Sequence, residues 1–208
     1  AKYVARWEPV SETWTNLGSG ANNYVHALAW DGACLYAGGA FTMAGGVSAS
    51  CVAKWNPDSR SWTNLGSGLN DEVRALAYDG TNLYAGGDFT AAGGAAANYV
   101  AKWDPETGTW TNLGSGISGS VYALAHDGTF LYAGGYFTNS GGVAANSIAR
   151  WDPSSRTWTN LGSGVDLVVQ ALAHDGTDLY AGGLFTTAGG TPANYVAKWS
   201  PANACWTN

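Results

Sequence analysis

Charge is scarce in this chain. Lys and Arg number 9 and Asp and Glu 15 among 208 residues, for a formal net charge of −6. Binding nucleic acid requires clustered cations to neutralise phosphates, so a sparse and net acidic charge excludes that partner class. Long apolar runs are missing as well: none approaches the ~18 residues that cross a membrane. Cysteine is limited to Cys34, Cys51 and Cys205. Three scattered thiols do not make a disulfide framework, and no CxxC or close Cys/His spacing offers a thiolate metal site. The 3.6-residue apolar period of a helix is absent throughout. Disorder is excluded too, because 30 Gly, 11 Trp and 11 Tyr suit short strands joined by tight turns rather than a solvated coil. The chain opens on Ala1 with no visible leader, which leads to the expectation of a processed product or a piece of something longer.

What is present is repetition. The phrase "WTNLGSG" begins at Trp14, Trp62, Trp110 and Trp158, each 48 residues after the last, and Trp206 opens a fifth "WTN" at the same interval. The four copies are identical in 26 of 48 aligned columns, which leaves the remaining columns to carry whatever distinguishes one copy from the next. Residues 1–16 duplicate one part of the unit, since "YVARW" ending at Trp7 returns as "YVAKW" ending at Trp199. A period in this range marks a solenoid, a propeller or an array.

The third copy contains four runs rich in aromatic and β-branched residues: "VYALAH", "FLYAGGYFT", "SIARW" and "TWTNLG". Asp127-Gly128 separates the first two and is a strong hairpin signal, because Gly takes the positive φ such turns need. "DPSS" precedes the last run, with Pro presetting φ for a turn. Four antiparallel strands per repeat, repeated four times, give an all-β expectation: a β-propeller of four-stranded antiparallel blades, with four 48-residue repeats plus an N-terminal half-blade. The blades are expected at about 21–64, 69–112, 117–160 and 165–208, in a single domain over 1–208, with 1–16 as extra third and fourth strands. Gaps between blades widen with radius. The small "ALA" and "AGG" runs therefore belong near the axis and the Trp columns near the rim, which gives the order A ("VYALAH"), B ("LYAGG"), C ("IARW"), D ("TWTNLG"). This reading makes every Trp except Trp30 a core residue.

"LYAGG" followed by "ARWDP....TW" resembles a kelch motif, and "VYALAHDG..LYAGG" ahead of "IARWD" resembles a WD40 blade. The whole unit resembles the repeats of secreted bacterial kelch-like propeller proteins. This resemblance covers the full chain. It implies the propeller fold and an extracellular or cell-surface location, but no single activity, because propellers host many.

Most invariant columns read as structural. Gly38-Gly39 and Gly45-Gly46 permit close backbone approach and special turns, and the Asp-Gly pairs at 31, 79, 127 and 175 read as turns rather than calcium ligands. The varying columns carry the candidates for ligand binding. His26, Arg74, Tyr122 and Gln170 share one strand-A position nearest the axis. Ala40, Asp88, Tyr136 and Leu184 share the position beyond strand B, and Asp88 and Tyr136 join the candidate set. The D-to-A loops "ANNY", "LNDE", "ISGS" and "VDLV" belong to the same end of the propeller. A ligand is expected there if variation on a uniform scaffold marks a binding site. At the other end of strand A, Trp30, Tyr78, His126 and His174 read as a stacking column, with a metal shared by the two imidazoles as the sharper alternative.

Enzymatic patterns are not met. Copper-containing kelch enzymes use a Cys–Tyr cofactor that no Cys here matches, and "DPETGTW" spaces its Asp and Gly differently from a sialidase box. No nucleophile–base constellation stands out. The expectation is a non-enzyme without cofactor or metal: a structural or self-assembly module that associates through its N-terminal half-blade. The alternative is a multivalent lectin binding glycans.

Overall fold

The computed structural model describes residues 2–208. Among them every regular element is a strand, and every pairing is antiparallel. The first blade consists of strands A (Val25–Trp30), B (Leu35–Gly39), C (Val52–Asn56) and D (Ser61–Asn64). The second comprises Val73–Tyr78, Leu83–Gly87, Val100–Asp104 and Thr109–Asn112. The third comprises Val121–His126, Leu131–Gly135, Ile148–Asp152 and Thr157–Asn160. The fourth ends with the shorter Cys205–Thr207, after Val169–His174, Leu179–Gly183 and Val196–Ser200. In each sheet the spatial order is A-B-C-D. The A strands of consecutive blades pack on one another, which places them at the axis as residue size requires. No comparable packing joins the first blade's A strand to the fourth's, so the four blades form an open arc.

The core lies between blades rather than within them. Tyr36 and Val52 of the first blade bury against Val73, Leu83 and Trp103 of the second, and the pattern recurs at each junction. Two local features lock each junction. Strand B's first Gly lies where the next blade's Val presses in. A Cβ on Gly38, Gly86 or Gly134 would meet Val73, Val121 or Val169 at 2.4–2.5 Å. At the rim the two rings of each Trp pair meet at a tilt, as in Trp103–Trp110 with centroids 5.4 Å apart and planes inclined by 52°. The Trp110 indole N–H also donates to the Leu65 carbonyl of the preceding D-to-A loop at 3.0 Å. Burying one such ring stabilises by roughly 1.5–3 kcal/mol.

Between B and C lies an element the sequence reading did not resolve, a two-residue-per-strand hairpin such as Met43–Ala44 with Val47–Ser48. Its turn is Gly45-Gly46, both at positive φ. A side chain on Gly45 would strike the Trp62 ring at 2.6 Å, so the glycine is required twice over. Strand C is then entered through one left-handed residue per repeat (Tyr3, Cys51, Tyr99, Ser147, Tyr195), with φ of 62–67°. That conformation costs roughly 1–2 kcal/mol for a non-Gly residue. At Tyr99 it is offset by backbone bonds on both sides, from its N–H to Phe89 and from Gly87 N–H to its carbonyl.

Residues 2–16 form a separate two-stranded sheet, Ala5–Glu8 with Thr13–Asn16. It packs on the first blade through Val4, which joins Leu17, Trp55 and Trp62 in one buried cluster. The expectation that ten Trp are core is corrected here. Eight are buried, but Trp7 is 45% and Trp14 69% exposed, because among the described residues no blade covers the outer face of this hairpin.

Candidate functional site

Strand A of every blade turns its second residue toward one end of the axis. His26, Arg74, Tyr122 and Gln170 line one concavity there of about 500 Å³, together with Val168 and Leu184. The sheet places them together because all four share one register position, the unpaired bulge residue of strand A between the partners of strand B's two glycines. Arg74 is the electrostatic centre. Its Nε donates to Asp88 at 2.6 Å, and its Nη2 lies 3.0 Å from Glu72. His26 Nε2 stands 3.5 Å from the same Glu72. The guanidinium also lies over the Tyr122 ring, 5.5 Å from its centroid. Burial works against the Arg74 charge, but the Asp88 hydrogen bond and the two carboxylates more than compensate and hold it protonated.

The candidate residues therefore divide. His26, Arg74, Tyr122 and Gln170 converge, and Asp88 stands behind Arg74 as its anchor. Tyr136 does not join them. It is 64% exposed and lines a separate hollow of about 300 Å³ with Tyr99, Ser118, Gly119 and Ser120. Glu72 went unassigned as a site residue, although it stands in the "LNDE" loop. Only the fold brings it to Arg74 and His26.

The D-to-A loops carry a structural device under varied letters. Asn22 Oδ1 accepts the N–H groups of Thr42 and Met43, and Asn70 Oδ1 accepts those of Thr90 and Ala91. Ser118 Oγ and Asp166 Oδ1 do the same in the third and fourth copies. Three different residue types thus share one function, clamping the loop to the small hairpin.

At the opposite end of strand A the stacking column is plain. Tyr78 stacks on Tyr36, His126 on Tyr84 and His174 on Tyr132, with centroids 6.1–6.5 Å apart. Nδ1 of His126 and of His174 accepts the N–H of Gly128 and Gly176. Burial pushes the His126 pKa below its ordinary value, and the attraction of Asp79 and Asp127 only partly opposes this. Each Asp-Gly turn is an Asx turn: Asp127 Oδ1 accepts from Thr129 and Phe130, and Oδ2 from the Tyr132 hydroxyl. The three cysteines are free thiols, and burial raises the Cys51 pKa to about 11.

Comparison with known proteins agrees with this architecture. The family model described as Rax2 C-terminal beta propeller domain matches residues 77–161. The chain is a β-propeller. Among solved structures it resembles the computationally designed Ika8 protein with a TM-score of 0.66 at 16% identity, over 98% of this chain and 54% of that one. It also resembles the BT4673 extracellular domain from B. thetaiotaomicron with a TM-score of 0.62 at 15% identity, over 94% of this chain and 24% of that one. The propeller chain thus spans about half of the first and about a quarter of the second. No curated protein matches it.

Proposed function

We propose that this propeller is a non-enzymatic structural module that works by self-association, and that it does so outside the cell. One observation carries the reading: within the described residues, the outward faces of the first and fourth blades are exposed and complementary. On the fourth blade, Tyr180 is 37% and Val196 59% exposed, whereas Tyr36, Tyr84, Tyr132, Val52, Val100 and Ile148 in the same columns are buried. A Cβ on Gly182 would meet nothing nearer than 3.9 Å. On the first blade Leu28 is exposed and Trp30 is 53% exposed, in the columns of Leu76 and Tyr78. Every blade junction inside the molecule joins these two kinds of surface. A second copy therefore offers to the fourth blade the surface its neighbours already use. Trp30 and Val196 are 53% and 59% exposed, so burying the rest of both would contribute about 2–3 kcal/mol together, half of the ~1.5–3 kcal/mol that each full burial gives. Such a head-to-tail contact closes into a ring or extends as a filament, according to its rotation. The resemblance to an extracellular domain supports the location. Sedimentation velocity across concentration tests the reading, with concentration-dependent dimers or larger species expected and a monomer at every concentration refuting it.

A second reading rests on Tyr99 and Tyr136. An exposed aromatic beside Ser118, Ser120 and Gly119 is a surface on which a sugar ring can stack while its hydroxyls find hydrogen-bond partners. Glycan-array binding that disappears in Tyr136→Ala would favour this lectin reading. Absence of any glycan signal would remove it.

A further inference from the structure

Strand C carries one cation per copy, at Arg6, Lys54, Lys102, Arg150 and Lys198. Three of these are engaged within their own repeat. Arg6 Nε pairs with Glu8 at 3.1 Å, Lys54 lies over the Tyr36 ring, and Lys198 pairs with Asp178 at 2.8 Å. Arg150 differs. Phe130 stands in the column of Asp178, and the Arg150 guanidinium lies 4.3 Å from the centre of its ring. Asp152 stands in the column of Glu8 but is one carbon shorter, and its Oδ1 accepts the N–H groups of Ser154 and Ser155. The Tyr132 hydroxyl beside the guanidinium already donates to Asp127. Arg150 thus makes no ion pair among the described residues, and its Nε is buried without an acceptor. Lys102 has no acidic partner there either. An ammonium on a flexible stem can turn to water, however, whereas a planar fork laid on a ring keeps its direction.

Arg150 lines a groove of about 370 Å³ at the joint between the third and fourth blades, with Thr159, Asn160, Gly162, Trp199 and Pro201. Both walls are fixed. A Cβ on Gly162 would sit 3.4 Å from the Trp199 ring, and the Leu161 carbonyl accepts the Trp206 indole N–H at 2.9 Å. Asn160 is exposed at the mouth. We infer that this groove is a binding site for an acidic sugar, a uronic acid whose carboxylate is held by the Arg150 guanidinium. A guanidinium fork matches a carboxylate with two parallel hydrogen bonds. One cation with Asp152 close by balances a single negative charge, whereas a phosphate dianion would meet added repulsion. Thr159 and Asn160 offer partners to sugar hydroxyls, and the Trp199 edge with Pro201 offers an apolar patch to the ring's C–H face. The volume is at the small end for a ligand pocket and suits one ring. This site stands apart from the Tyr136 hollow and does not rest on the assembly reading.

The test titrates glucuronic acid, glucose, acetate and inorganic phosphate into the full chain, read by calorimetry and by chemical-shift changes at the Trp199 ring. Two variants use residues that other copies already carry in these columns, Lys102 and Glu8. Arg150→Lys keeps the charge and removes the fork. Asp152→Glu lengthens the carboxylate so that it reaches the guanidinium as Glu8 reaches Arg6, closing the site from within. Glucuronate should bind and shift Trp199, weaker by about tenfold or more in each variant, while Arg6→Lys leaves it unchanged. Glucose, acetate and phosphate should each bind at least about tenfold more weakly than glucuronate. No glucuronate binding to the unaltered chain overturns the inference. Undiminished binding in either variant, or binding lost in Arg6→Lys, puts the ligand elsewhere and overturns it too. Acetate or phosphate binding as tightly as glucuronate would refute sugar recognition, and glucose binding as tightly would refute the carboxylate's role.

Discussion

Replacing glycine by alanine at two positions of one column isolates the blade-to-blade contact from everything local. Gly86 and Gly182 both occupy the fourth position of "LYAGG" in strand B, and both pair with strands A and C in the same register. They differ in what lies across the junction. An added Cβ at Gly86 falls 2.5 Å from Val121 Cγ1 and 3.1 Å from Val121 Cβ. Val121 is fully buried and β-branched, so it cannot swing aside, and overpacking of this kind costs roughly 1–3 kcal/mol. Alanine also removes unfolded-state freedom worth about 0.4–1 kcal/mol. The net for Gly86→Ala is a loss of about 1–2 kcal/mol. At Gly182 the nearest atoms are Tyr195 O at 3.9 Å and Ala171 Cβ at 4.0 Å. Only the entropic gain applies there, and Gly182→Ala should stabilise by about 0.5 kcal/mol. For a chain of this size 1 kcal/mol moves the midpoint by about 2–4 °C. Thermal melts followed by near-UV circular dichroism at high dilution should show Gly86→Ala lowered by about 2–8 °C and Gly182→Ala raised by about 1–2 °C. Equal shifts of the same sign would mean that the junction does not hold the arc together.

Three further outcomes are expected. Trp103→Ala removes a buried ring at a junction and should cost about 3–5 kcal/mol in denaturant unfolding, whereas Trp14→Ala, in the same kind of pair but 69% exposed, should cost under about 1 kcal/mol. Ser140 is fully buried with a hydroxyl that finds no partner, where the other copies carry Ala44, Ala92 and Ala188. Ser140→Ala should therefore raise stability by about 1 kcal/mol in the same assay. Asp79 and Asp127 hold pKa values below the ordinary one. Burial raises them, but backbone N–H donors and the Tyr84 and Tyr132 hydroxyls outweigh it. Their charged forms thus favour the fold above the ordinary carboxylate pKa, and that contribution is lost as pH falls through the depressed value. Asp127→Asn should be less stable than the parent at neutral pH, with the gap closing in acid; a gap that widens in acid would reverse the assignment.

Much of the candidate site was legible because repetition turns a sequence column into an arc of neighbouring side chains around one axis. His26, Arg74, Tyr122 and Gln170 share one column at one end of strand A, so the fold had to gather them wherever the axis lay. The charge network around Arg74 was not legible. Glu72 comes from the loop ahead of strand A and Asp88 from the turn beyond strand B, and only sheet pairing brings them to one guanidinium. Tyr136 shares Asp88's column yet faces a different hollow. The loop clamp was hidden for a chemical reason: the position is Asn in two copies, Ser118 in the third and Asp166 in the fourth, yet each offers one oxygen to two backbone N–H groups.

The sequence by itself determined the blade. Turn residues set the strand ends, and side-chain size set the order from axis to rim. Tertiary structure alone decided which copies of a column are covered. Tyr36 and Tyr180 have the same neighbours in sequence, yet one is buried and the other open. Trp7 and Trp55 differ in the same way. Burial in a repeat protein is set by the blade packed across the junction rather than by the residue's own sequence context.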